Sequence, residues 1–98
     1  MKYKYYSDPG HGWLKVPISH FKKYNIDINK ITMYSYVRKD YIYLEEDEDM
    51  TYFLKSLEEK GIKFSIEEKP SNKSSKIRSY SRFIPNVDNG NNKCAIAL

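Results

Sequence analysis

Met50, Phe53, Leu54 and Leu57 recur at the spacing i, i+3, i+4, i+7, and this stripe is the strongest constraint on how the chain folds. Residues so spaced share one face of an α-helix. Asp47 or Asp49 stands where it can cap the helix start, and Gly61 supplies a residue that tolerates a left-handed ending. Downstream the period changes. Ile62, Phe64 and Ile66 alternate with Lys63, Ser65 and Glu67, the pattern of a one-sided strand that Pro70 ends.

Upstream the signal is also mainly β. Residues 2–6, KYKYY, form a first strand, and WLKVP extends into a short second one. Pro17 suits the first turn of a short helix over PISHFKKYN, with Ile18, Phe21 and Tyr24 on one side and Asn25 as the stop. Lys30 to Glu45, KITMYSYVRKDYIYLE, reads as a hairpin turning at RKD. Its first arm sets Ile31, Met33, Ser35 and Val37 on one face and Thr32, Tyr34 and Tyr36 on the other, and its second alternates Ile42 and Leu44 with Tyr41 and Tyr43. With the aliphatics together, the tyrosines share the opposite face. The expected fold is a small single α+β domain, an antiparallel sheet of three to four strands with two helices.

Length and charge divide the chain further. At 98 residues it holds one domain, whose core is a single modest layer. Residues 1–69 carry twelve basic and twelve acidic side chains, so the net charge of +4 lies wholly in residues 70–98. There Lys73, Lys76, Arg78, Arg82 and Lys93 face Asp88 alone, in a Ser/Asn-rich stretch with few aliphatics. We therefore expect an α+β domain over 1–69 and a basic, partly disordered tail over 70–98, in which IRSYSRF either pairs as an edge strand or orders on a partner. No apolar run approaches the ~20 residues of a membrane span, which points to a cytoplasmic protein. The single cysteine, Cys94, allows no internal disulfide. With His11 and His20 it shows no paired-ligand spacing, so no metal or cofactor is expected.

Four constellations could carry chemistry. In SDPGHGWLKVP (residues 7–17), Pro9 and Gly10 suit a type II turn with Gly10 at positive φ, Asp8 bonds the turn backbone, and Trp13 anchors its exit. His11 is left over, either bland or an acid/base. The run EEDED (residues 45–49) lacks the glycine of a calcium loop and complements a helix dipole. It is also an exposed acidic patch suited to a basic partner. The tyrosine face, Tyr34, Tyr36, Tyr41 and Tyr43, is either core packing or an interface that works with Glu45, Glu46 and Asp47. A stacking platform for single-stranded nucleic acid ranks behind both, because only Arg38 and Lys39 at the turn interleave cations with the rings. In the tail, Lys73, Lys76, Arg78 and Arg82 suit nucleic-acid phosphates. No Ser-His-Asp or Cys-His grouping assembles, and no residue is assigned as catalytic.

The segments YYSDPGHGWLKVP, INKITMYSYVRKDYIYLEEDEDMTYFLKSLEEKGI and KIRSYSRF together resemble a family of small phage, plasmid and mobile-element proteins. The pattern is SDPGHGWL-x-VP, then ISxYSY, YLEED and IRxY, and it maps onto Ser7–Pro17, onto Ile31 with Tyr34, Ser35 and Tyr36, onto Tyr43–Asp47 and onto Ile77, Arg78 and Tyr80. ITMYSY departs from it in lacking a serine at Thr32 or Met33. The resemblance implies an accessory protein that binds a host protein, such as a CRISPR effector or restriction enzyme, and blocks a defence system. It transfers no activity or catalytic residue. Two alternatives stand beside it: a nucleic-acid-binding accessory protein acting through the tail, and a small hydrolase or nuclease using His11.

Overall fold

A computed structural model describes residues 1–84, so the readings of Asp88, Lys93 and Cys94 concern residues outside those described. Six strands form one sheet: β1 (Lys2–Ser7), β2 (Gly12–Pro17), β3 (Tyr36–Arg38), β4 (Tyr41–Glu45), β5 (Ser65–Pro70) and β6 (Ser81–Arg82). Their spatial order is β5-β1-β2-β4-β3-β6. The α+β class stands, with two helices, α1 (Ser19–Lys23) and α2 (Asp49–Glu59). The sheet is larger than the three to four strands expected, and it is mixed: β5 runs parallel to β1 while every other pair is antiparallel. Parallel pairing follows from the crossover, because α2 carries the chain over the sheet from β4 to its far edge. Among the described residues no helix is long and apolar enough to cross a membrane.

The stripe of α2 does what its spacing predicts. Phe53 and Leu57 are fully buried on Tyr3, Leu14, Val16, Val37, Ile42 and Leu44 of the sheet. The Phe53 ring meets Tyr3 edge-on at 5.6 Å and Phe21 of α1 at 5.0 Å. Gly61 follows the helix at φ 73°, the left-handed ending expected of it. Asn25 stops α1 in the same region at φ 55°. Pro17 belongs to β2, opposite Tyr41, rather than opening α1.

The hairpin is the main local correction. Its turn lies at RKD, with Lys39 at φ 56°, but its first arm is only three residues long. Residues 32–35 turn instead, because buried Asp49 draws them in. Its carboxylate accepts from Thr32 N at 3.0 Å, Thr32 Oγ1 at 2.7 Å and Ser35 Oγ at 2.5 Å. Local bonds of this kind compete with a strand ladder. Ile31, Ser35 and Val37 are buried as the alternation predicts, whereas Met33 is 55% exposed. Asp49 is thus no helix cap. The Glu45 carboxylate accepts from the amides of Asp47 and Glu48 at 2.8 and 3.1 Å, just ahead of α2.

The turn after β1 also differs from expectation. Gly10 does not have positive φ. The loop is closed by Asp8, whose Oδ1 accepts from the amides of Gly10 and His11, both at 2.9 Å, while Asp8 N donates to His11 O. Gly12 is the glycine that must be small. A Cβ there would lie 1.9 Å from the Tyr5 hydroxyl and 2.4 Å from its ring.

Residues 70–84 are not a detached tail. Ser71 N donates to Ser7 O, Ser75 Oγ caps a 3-10 turn over Lys76–Ser79, and β6 pairs with β3. Phe83 is buried in the core, 1% exposed. The edge-strand alternative for IRSYSRF is the one the chain adopts. This segment lays Ile77 and Tyr80 on the second sheet face, over Trp13, Tyr36 and Tyr43.

Gly12→Ala is expected to cost about 1–3 kcal/mol in denaturant unfolding, because the Tyr5 ring must swing away. The cost should shrink in a Tyr5→Ala background. Equal losses in both backgrounds would show that the Tyr5 contact is not what keeps this position small.

Candidate functional site

The anchor of the site is Asp8. Its side chain is 1% exposed, and five donors share its two oxygens. Arg78 Nε lies 2.8 Å from Oδ2 and Arg78 Nη2 2.9 Å from Oδ1, a two-pronged ion pair across seventy residues. Ser75 N adds a bond of 2.8 Å to Oδ2, and the Gly10 and His11 amides complete the set. The Arg78 guanidinium and then these amides hold the Asp8 carboxyl well below the usual carboxylate range, although burial opposes them.

This pair fixes one wall of a cleft of about 340 Å³. Its floor is aromatic. Trp13, 1% exposed, meets Tyr36 edge-on at 6.2 Å, and His11 meets Trp13 edge-on at 5.9 Å. An arginine lies over each floor ring, Arg78 5.2 Å from Trp13 and Arg82 4.9 Å from Tyr36. Arg82 Nη1 also donates to Met33 O at 3.1 Å. The other wall is acidic, formed by Glu45, Asp47 and Glu48 with Tyr34 beside them. Residues from all four short motifs, His11 and Trp13, Tyr34 and Tyr36, Glu45 and Asp47, and Arg78, therefore converge on one place.

The sequence-predicted residues separate into groups. Tyr34, Tyr36, Glu45 and Asp47 line the cleft with His11, Arg78 and Arg82. Glu46 is not among the lining residues; its carboxylate adds to burial, the main cause, in pushing the Tyr5 hydroxyl up to about 12. Tyr41 and Tyr43 border a different part of the sheet. The four tyrosines are not one exposed face: Tyr36 and Tyr43 are 8% and 7% exposed beneath residues 77–82, while Tyr34 is 61% exposed. Nor is the acidic run one solvated patch, since Glu45 and Asp49 at its ends are buried. The basic residues also part company. Arg78 and Arg82 are engaged in the cleft, Lys76 faces another groove, and Lys73 stands exposed.

Sequence reasoning missed Glu48 as a lining residue and the Asp8–Arg78 pair. Only the pairing of β1 with β5 and the return of residues 75–78 bring those two together.

In chemical terms the cleft is an aromatic floor between cationic and anionic walls. It suits a group with apolar surface and mixed charge. The Glu45 oxygens are occupied by helix-start amides, and Asp8 is saturated. Neither carboxylate is poised to take a proton from His11 or from a bound water. Among the described residues no three His, Cys, Asp or Glu side chains gather as metal ligands.

The direction of the Asp8 shift sets a pH signature. A carboxyl held low in the folded state stabilises above its unfolded value, about pH 4, and loses that contribution as pH falls toward its folded value. The stability gap between wild type and Asp8→Asn should thus be flat from neutrality to about pH 5 and narrow below about pH 4. Denaturant titrations across pH measure it. A gap closing near about pH 6–7 would assign the linkage to a histidine instead.

Compared with known proteins, the chain matches no family model, no curated sequence and no solved structure.

Proposed function

We propose that this chain is a non-enzymatic binding protein that seats a protein partner across the cleft and its Met33–Tyr34 rim. In the phage or mobile-element setting that the resemblance implies, the partner is a host protein, such as a CRISPR effector or restriction enzyme whose block would disable a defence. The observation that carries the reading is the presentation of Tyr34. Its ring is 61% exposed beside 55% exposed Met33, on a loop that buried Asp49 pins through three donor groups. A large apolar side chain held out on a rigid loop binds with little further loss of entropy, and tyrosine is enriched where interfaces gain most of their energy. Asp47 and Glu48 next to it would steer a basic partner.

The hydrolase reading has less support, because no hydrogen bond joins the His11 ring to a carboxylate among the described residues, and the Asp8 and Glu45 carboxylates bond backbone amides and Arg78. Recognition by a four-cation tail is likewise weakened, because Arg78 and Arg82 are held within the fold.

Affinity capture from lysate of the host cell, with and without nuclease, tests the proposal. We expect one stoichiometric partner that survives nuclease and is lost on Tyr34→Ala, by at least about tenfold in affinity for a hot-spot tyrosine. His11→Ala should leave capture within a few-fold of wild type. Retention of the partner by folded Tyr34→Ala, or loss only on His11→Ala, would overturn the proposal.

A further inference from the structure

The second sheet face extends beyond the cleft, and there its character changes. One row of side chains crosses all six strands in register: Glu67, Lys4, Lys15, Tyr43, Tyr36 and Arg82. The next row toward the β3–β4 turn is Pro17, Tyr41 and Arg38. The apolar sides of α1 and α2 pack on the opposite face, and only His20 of α1 reaches this one, bordering it beside Pro17 and Tyr41.

Two adjoining grooves run along this surface and share Lys15. One, of about 240 Å³, holds Lys2, Lys4, Lys15 and Tyr41. The other, of about 290 Å³, holds Tyr6, Lys15, Arg38, Lys76 and Tyr80. Cations and rings alternate along them. Lys15 Nζ sits 4.2 Å above the Tyr41 ring, the Arg38 guanidinium sits 5.1 Å from the Tyr80 ring, and Tyr43 and Tyr80 lie 5.1 Å apart. Glu67 is the carboxylate on the β5 margin, and Lys69 neutralises it at 2.9 Å. The grooves thus carry Lys2, Lys4, Lys15, Arg38 and Lys76 without a lining carboxylate among the described residues.

We infer that this face is a binding site for single-stranded nucleic acid, separate from the cleft and independent of its occupant. Charge complementarity selects a polyanion, and the interleaved rings select one with exposed planar bases. From β1 to β3 is three strand spacings, about 14 Å, which suits a short run of a few nucleotides laid across the strands. A duplex would offer the lysines its phosphates but no base face to Tyr41, Tyr6 or Tyr80. An acidic polypeptide would likewise offer charge without planar stacking partners.

Fluorescence anisotropy of the full chain with a labelled oligodeoxythymidine, set against a duplex of equal length and against polyglutamate, tests the inference. At low salt, about 50 mM, the single strand should bind at least about tenfold more tightly than either competitor. Replacing Lys4, Lys15 and Arg38 together by Gln should weaken binding at least about tenfold and flatten its salt dependence by about two log units per decade, the share of three phosphate contacts. Tyr41→Ala should weaken it about fivefold while leaving the salt slope unchanged, which a purely electrostatic site would not do. Lys73→Gln should change neither. The inference is overturned by three results: no saturable binding at low salt, equal binding of duplex or polyglutamate, or wild-type affinity in a Tyr41→Ala protein that melts like wild type.

Discussion

The ion pair between Asp8 and Arg78 is the interaction on which the two-faced sheet depends. A salt bridge in water adds little, but this carboxylate is buried, and five donors converge on it. Taking away one partner would leave a desolvated charge uncompensated, so the contact acts as a requirement more than as a bonus. It clamps the loop after β1 to the segment before β6. That clamp lets Ile77 and Tyr80 roof Trp13, Tyr36 and Tyr43, giving the sheet a second, smaller core. It also divides the second face into a mixed-charge cleft on one side and a basic, tyrosine-rich surface on the other.

A second buried carboxylate works by different chemistry. Asp49 is as buried as Asp8, yet burial pushes its carboxyl up, and the Ser35 and Thr32 bonds only partly offset this. The contrast lies in the partners. Asp8 faces a full positive charge, whereas the groups that bond Asp49 are hydroxyls and an amide, with Glu45 near enough to add repulsion. Asp49 therefore favours the fold most in its protonated form, and that contribution fades as pH rises through its folded value. Both groups hold a loop in place, and they respond to pH in opposite directions.

Much of the fold was legible in the sequence wherever periodicity was local. The α2 stripe, the Gly61 ending, the Asn25 stop, the RKD turn and the inward Ile42 and Leu44 of β4 all follow from spacing and residue type. The errors arose where a distant group competed with the local pattern. Thr32 to Ser35 alternate like a strand, and only the arrival of Asp49 beneath them makes a turn cheaper. KIRSYSRF looks like solvated linker until Asp8 supplies the charge that Arg78 needs. The site was legible in pieces. His11, Tyr34, Glu45, Asp47 and Arg78 were each singled out, but the turn, the tyrosine and acidic set, and the basic tail were read as separate features. The basic sheet face was legible only at Arg38, because Lys4 and Lys15 become its neighbours through strand register.

The topology also orders events in time. The first strand finds its outer neighbour, β5, some sixty residues later, and the roof over the second face comes later still, from residues 75–82. Contacts of such sequence separation are slow to form, because the intervening chain must first be brought to closure. During synthesis the β1–β2 hairpin emerges with Trp13 and a carboxylate at Asp8 that has no counterion yet. A nascent chain not yet extended through Arg82 therefore has no finished cleft, however complete its helices. The cleft is the last part of the described fold to be completed, after both helices and five of the six strands.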